Sequence, residues 1–342
     1  MQTPVTIYVV HHPQCTQAEL LASRRYDWFR LGYQSGDSSA AGLPVYFRHQ
    51  LLNSALHPEI PYDEAGLNVV IVLVDHKMVG DDHWRKAVVD LAEEIHGKCN
   101  KPNGKSAAIL LPCAMHDSFY RTGPLYEYFN AIRLLNMNDD KMVATVRRAT
   151  TEATARWLLS EDCNTPRPLK VFLSHAKRDG RQIAESIRDE IRKFSQLEAW
   201  YDANDLPYGA SWDSPMEAAA KDDTAAMIVT FTDAYPTRPW CRREAMLART
   251  PTRIAESKGS QVWKVQPVVA VHQPGPGWVR GVPRLEGVPR IGWNDIVPED
   301  QTERVVDRLV LEVLLANVHR RVALDLEKHR SQESRRESCF IT

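Results

Sequence analysis

The 342-residue sequence contains no apolar run near the ~20 residues that a membrane-spanning helix requires. Met1-Gln2-Thr3-Pro4 also lacks a basic, apolar leader pattern. Neither sign of charge dominates, with 43 Lys and Arg against 44 Asp and Glu, so the electrostatic footprint of a nucleic-acid binder is missing. No membrane association and no direct nucleic-acid binding are therefore expected. The cysteines Cys15, Cys99, Cys113, Cys163, Cys241 and Cys339 form no CxxC pair and no zinc-type spacing. Reduced thiols in a cytoplasmic protein fit that scatter, and no metal site is expected. His11-His12-Pro13-Gln14-Cys15 looks metal-like, yet no second ligand pair accompanies it, and a loop after a first strand explains it as well. Cys339-Phe340-Ile341-Thr342 has the outline of a prenylation box without a usual final residue. A solvated, mobile polar tail over 326–342 is the expectation there, because its charges balance.

What is present is a repeated rhythm of short apolar runs and helical faces. In the second half, 170–174 reads as a buried strand, followed by Ile183, Ile187, Ile191 and Phe194 along one helix face. A second strand at 199–201 leads into loop chemistry at 204–209, and 212–221 reads as a helix. Then come a strand at 226–231 and a helix at 240–249. A strand follows at 265–271, placed near a sheet edge because Pro267 interrupts it, and a short one at 290–293. A helix over 302–324 closes the series. Strands alternating with helices predict a parallel sheet covered on both faces, with ligands bound beyond the carboxyl ends of the strands.

The first half repeats the plan, with strands expected at 5–10, 43–47, 68–74 and 106–111 and helices at 18–31, 84–95 and 140–159. The sequence 69–75 (VVIVLVD) aligns with 227–233 (MIVTFTD), and in each half a Trp then opens a helix, at Trp84 and Trp240. The expected class is α/β, with two flavodoxin-like domains at 1–162 and 167–325. Two unrelated domains of this class would share the same rhythm, so common origin is one of two explanations.

Three segments carry a resemblance. They are Val171-Phe172-Leu173-Ser174-His175-Ala176-Lys177-Arg178-Asp179, the stretch from Trp200-Tyr201-Asp202 through Leu206-Pro207-Tyr208-Gly209 to Trp212, and Trp240-Cys241-Arg242-Arg243-Glu244. In this order and in these strand and helix contexts, the second half resembles a TIR domain of the bacterial immune type that cleaves NAD+. The last string is similar to the WxxxE helix start that carries the catalytic glutamate in NAD-cleaving members.

The resemblance implies Glu244 as the catalytic carboxylate, stabilising a ribosyl group that becomes cationic as nicotinamide leaves. From the residues alone, Glu244 amid Arg242, Arg243 and Arg249 reads rather as a solvated surface acid. Ser174, His175, Lys177, Arg178, Phe231 and Trp240 are candidate substrate contacts: the two cations for a pyrophosphate, Ser174 for a hydroxyl or amide, His175 for shape, and Trp240 for stacking or plain packing. Leu206, Pro207, Tyr208, Gly209 and Trp212 form a candidate gating or assembly loop, or a simple connection. No cofactor is expected, NAD+ being substrate. The likeness further implies self-association through TIR domains, activation by a sensor protein or a nucleotide signal, and NAD depletion in anti-phage defence. A non-enzymatic adaptor and a cyclase making a cyclic ADP-ribose signal stay open beside it. Four residues after Trp84 the first half has Val88, so that half is expected to be a degenerate TIR-like domain that regulates or recruits.

Overall fold

The computed structural model describes residues 2–31, 41–50, 59–99, 107–160, 168–194, 196–200, 224–256, 260–273, 281–294 and 298–339. The chain divides into two units, Met1–Pro166 and Arg167–Thr342.

In the first unit the elements run β1 (Thr3–His11), α1 (Thr16–Tyr26), β2 (Val45–Arg48), β3 (Ala65–Val74), α2 (His76–Gly80), α3 (Asp82–Cys99), β4 (Ala107–Ala114), α4 (Pro124–Tyr128), β5 (Ile132–Arg133) and α5 (Asp139–Ser160). The five strands are parallel, in the order β2-β1-β3-β4-β5. Nine of the ten residues of β3 are buried, with only Gly66 partly exposed, which is why this strand reads as an unbroken apolar run. One face of the sheet (Tyr8, Val10, Val70, Val72, Val74) packs on Trp84, Val88, Leu91 and Ile95 of α3.

The second unit runs β6 (Leu169–His175), α6 (Arg181–Phe194), β7 (Leu197–Trp200), β8 (Ala226–Phe231), α7 (Pro239–Ala248), β9 (Thr252–Glu256), β10 (Ser260–Lys264), β11 (Val268–His272), β12 (Arg290–Gly292) and α8 (Pro298–Cys339). Its parallel sheet has the order β12-β11-β8-β6-β7. Setting aside the antiparallel β9–β10 hairpin, both sheets follow the order 2-1-3-4-5, the flavodoxin-like arrangement. The α/β class with two such sheets thus stands, and the aligned strings 69–75 and 227–233 begin in the third strand of each. Phe172, Met227, Val229, Val268 and Ala270 form the sheet face beneath Cys241, Ala245 and Ala248 of α7.

Several expectations need correction. The run at 265–271 is not one edge strand: β10 ends at Lys264, and β11 starts after Pro267 between β8 and β12. Proline lacks the N–H that an inner ladder needs, so it marks the strand's start and not an edge position. The last helix does not stop near Leu324 but continues through Cys339. No Pro or Gly occurs from 299 onward, and Glu, Arg, Lys and Leu sustain a helix, so nothing local terminates it. The expected helix at 18–31 ends as α-helix at Tyr26 and passes into a π turn over Asp27–Leu31.

Candidate active site

The parallel order reverses between β6 and β8, and their carboxyl ends define the crevice where such sheets hold ligands. Residues alternate along β6, so Ser174 lies on the same face as Phe172, toward α7. Ser174 is 2% exposed and His175 is buried beside it. The chain then turns through Lys177 to Gly180. A Cβ at Gly180 would lie 3.2 Å from the Ala176 carbonyl oxygen and 3.3 Å from Cγ2 of Thr230, so a side chain here would force its neighbours to give by a few tenths of an ångström.

Asp179 ties the two crevice loops together. Its Oδ1 accepts from the Thr232 hydroxyl at 2.6 Å and its Oδ2 from the Ala234 N–H at 2.9 Å. That staple sets the path of the chain into Tyr235, which is fully buried. The Tyr235 hydroxyl lies 2.7 Å from Ser174 Oγ and donates to the Cys241 carbonyl at 3.1 Å. Ser174 in turn donates to Glu244 Oε2 at 2.5 Å. Burial first, and then the negative charge of Glu244, push the Tyr235 phenol well above its ordinary range, so it acts here as a neutral hydroxyl.

α7 presents Glu244 because of where its small residues fall. Pro239 occupies the first turn, where its missing N–H costs nothing. Cys241, Ala245 and Ala248 make a buried stripe narrow enough for the helix to sit close on the sheet, with Cys241 Sγ 3.6 Å from the His175 carbonyl. Glu244 lies within that stripe and is 7% exposed. An acid at a core-facing position is the sequence signal that marks it, since a solvated acid belongs on the opposite face. The reading of Glu244 as a solvated surface acid does not hold.

The remaining candidates are dispersed around this centre. Phe231 is half-buried, its ring 5.8 Å from that of Tyr235. Lys177 and Arg178 are exposed on the turn after β6. Trp240 is 42% exposed, with the Arg243 guanidinium 5.4 Å from its ring centroid, so it does not share the enclosure of Glu244. Leu206, Pro207, Tyr208, Gly209 and Trp212 lie outside the described residues. Tyr235, Thr232 and Asp179 were not singled out from sequence. Asp179 stands in the quoted first motif, but its partners are more than fifty residues away and leave no local trace. A cleft of about 880 Å³ lies on another face of α7, lined by Pro236, Arg243, Met246 and Pro283 among others. Neither Ser174 nor Glu244 lines it, so the volume of that cleft does not locate the chemistry.

In the first unit the position corresponding to Glu244 holds Val88, fully buried against Trp84. His12 packs edge-on to Trp84 and its Nε2 lies 3.6 Å from Asp81, while His11 stacks on His49. Among the described residues no three His, Cys, Asp or Glu side chains are grouped to hold a metal ion.

A doubly wound parallel unit with a buried carboxylate at its strand-order switch is the class that these observations define. The family model described as TIR domain matches residues 171–310, and the second unit is a TIR domain. No curated protein matches the chain. One solved structure, described as a tagatose-6-phosphate ketose/aldose isomerase from Clostridium novyi NT, is 9% identical, covers 94% of this chain and 79% of its own, and has a TM-score of 0.22. A likeness that low carries no argument. Among the described residues no helix is long and apolar enough to cross a membrane.

Proposed function

We propose that the TIR unit is an NAD+ glycohydrolase that works when copies assemble, triggered by a sensor protein or nucleotide signal in defence against phage. The observation that carries this reading is the buried Glu244 carboxylate at the carboxyl ends of β6 and β8, with one oxygen held by Ser174. The carbon–nitrogen bond to nicotinamide breaks with its electron pair leaving on nicotinamide, and the ribosyl carbon becomes cationic. A carboxylate fixed in a site of low water content stabilises that charge more than a mobile surface acid would. Water then adds to the cation and loses a proton, giving ADP-ribose. Capture by a nitrogen of the adenine instead would give the cyclic product, so hydrolase and cyclase share the first step. Lys177 and Arg178 hold the pyrophosphate, His175 shapes the floor, and Trp240 stacks on a ring once Arg243 yields or sandwiches it. Completion of the pocket by neighbouring copies accounts for the dependence on assembly.

A second reading is favoured by one observation. Glu244 already has a hydrogen-bonded partner within the fold, as a purely structural acid in a non-enzymatic adaptor would. Incubating concentrated protein with NAD+ and following nicotinamide by chromatography separates the two. Glu244→Gln keeps an acceptor for Ser174 and loses the charge, so turnover is expected to fall about 10²–10³-fold with the fold intact by circular dichroism. Equal turnover by both proteins removes Glu244 from the chemistry, and no turnover under any assembly condition favours the adaptor. Turnover per molecule should also fall on dilution; a constant value across a wide series would rule out activation by assembly.

A further inference from the structure

We propose that the first unit carries a binding site for a purine nucleotide at the carboxyl ends of β4 and β5. Three large aromatic side chains stand half in solvent over the short stretch after β4: Tyr120 at 44%, Tyr126 at 53% and Tyr128 at 47% exposure. Solitary exposed aromatics are ordinary, but a cluster of them marks a surface that contacts something. These rings, with Glu127, Asn130 and Arg133, line a cavity of about 300 Å³, the lower end of the range for small-ligand clefts. Among the described residues the side chains of Glu127, Asn130 and Arg133 have no hydrogen-bond or ion-pair partner within the protein, so their donors and acceptors are available to a ligand.

The platform is built in advance of any ligand. Phe119 and Leu125 are anchored in the core, and the Thr122 hydroxyl closes the intervening turn on the Phe119 carbonyl at 2.6 Å. Gly123 takes φ of 52°, a conformation that glycine reaches without strain, and Pro124 starts α4 immediately after it. Tyr128 stacks on His96 at 4.4 Å with 16° between the planes, and Tyr120 meets Tyr126 edge-on at 5.3 Å. The rings therefore lose little freedom when a ligand arrives. Ala114 ends β4 opposite Arg133 at the end of β5, which places the guanidinium at the rim where parallel sheets bind ligands.

The chemistry narrows the occupant. Aromatic faces accept a planar ring, and a purine offers more stacking area than a pyrimidine. Glu127 and Asn130 suit the mixed donors and acceptors of a purine edge. Arg133 suits a phosphate, which its planar fork grips through two bonds. A sugar phosphate would leave the tyrosine faces unused, and an extended peptide would need a longer groove. This site does not depend on NAD+ cleavage by the other unit.

The test titrates the full chain calorimetrically with guanosine and adenosine 5′-monophosphate, and with ribose 5-phosphate as the ringless control. Saturable binding of at least one purine nucleotide is expected, with none by ribose 5-phosphate. Tyr126→Ala, at an exposed position that leaves the fold intact, should weaken binding about tenfold or more. Arg133→Ala should weaken the nucleotide but not the corresponding nucleoside, while Glu244→Gln leaves the affinity unchanged. Absence of saturation by either nucleotide at millimolar concentration overturns the proposal. So does binding that survives Tyr126→Ala but disappears in Glu244→Gln, which would place the nucleotide in the TIR unit.

Discussion

Tyr235→Phe tests the internal support of the candidate site most directly. The substitution removes one oxygen from a fully buried ring and leaves the ring's packing in place. It deletes the 2.7 Å contact with Ser174 and leaves the Cys241 carbonyl, previously 3.1 Å from a donor, without that partner. A buried acceptor that loses its donor costs about 1–3 kcal/mol, so the TIR unit should lose about 2 kcal/mol. For a unit of this size that corresponds to a midpoint lowered by about 4–8 °C, read by circular dichroism on the full chain beside the native protein. The pH dependence has a definite sign. Burial and the Glu244 charge raise the folded phenol well above its ordinary value of 10.0. Its contribution is therefore fully present below that value and is lost as pH rises through the raised folded value. The advantage of the native protein over Tyr235→Phe should accordingly narrow above about pH 10. An unshifted midpoint at neutral pH, or an advantage that widens in alkali, would refute the donation from the buried Tyr235 hydroxyl to the Cys241 carbonyl.

Two further outcomes follow from close packing and burial. Gly180→Ala places a methyl 3.2 Å from a backbone oxygen and should destabilise the TIR unit by about 1–3 kcal/mol, measured by urea unfolding; a neutral result would mean that the turn after β6 has room to move. Burial, reinforced by Asp75, raises the Cys15 thiol to about 11, so Cys15 should resist iodoacetamide at pH 8 in the folded protein and react after denaturation, as followed by peptide mass spectrometry. Rapid native labelling would contradict that placement.

The elements most legible in the sequence were those whose pattern is local. The apolar run in β3 and the Ile183, Ile187 and Ile191 stripe of α6 each bury one continuous set of side chains, so periodicity alone identified them. The β9–β10 hairpin was missed because its strands are short and only Val262 among its described side chains is buried. α4 and β5 are five and two residues long, too short for any periodic signal. At the site, Ser174 and Glu244 gained roles from motif resemblance, whereas Tyr235 lies outside the motif strings and Asp179 inside one without a role, since a tyrosine or aspartate in a loop has many ordinary explanations.

By itself the sequence determined the parallel α/β class, because that pattern is written in spacing along each segment, and it offered Glu244 as a candidate only through resemblance. Only the tertiary structure decided that this acid meets Ser174 seventy positions earlier, and that Asp179 clasps the loop leading to Tyr235. The order in which strands lie side by side brings those segments together, and strand order is set by the packing of whole faces, which no single stretch of chain encodes.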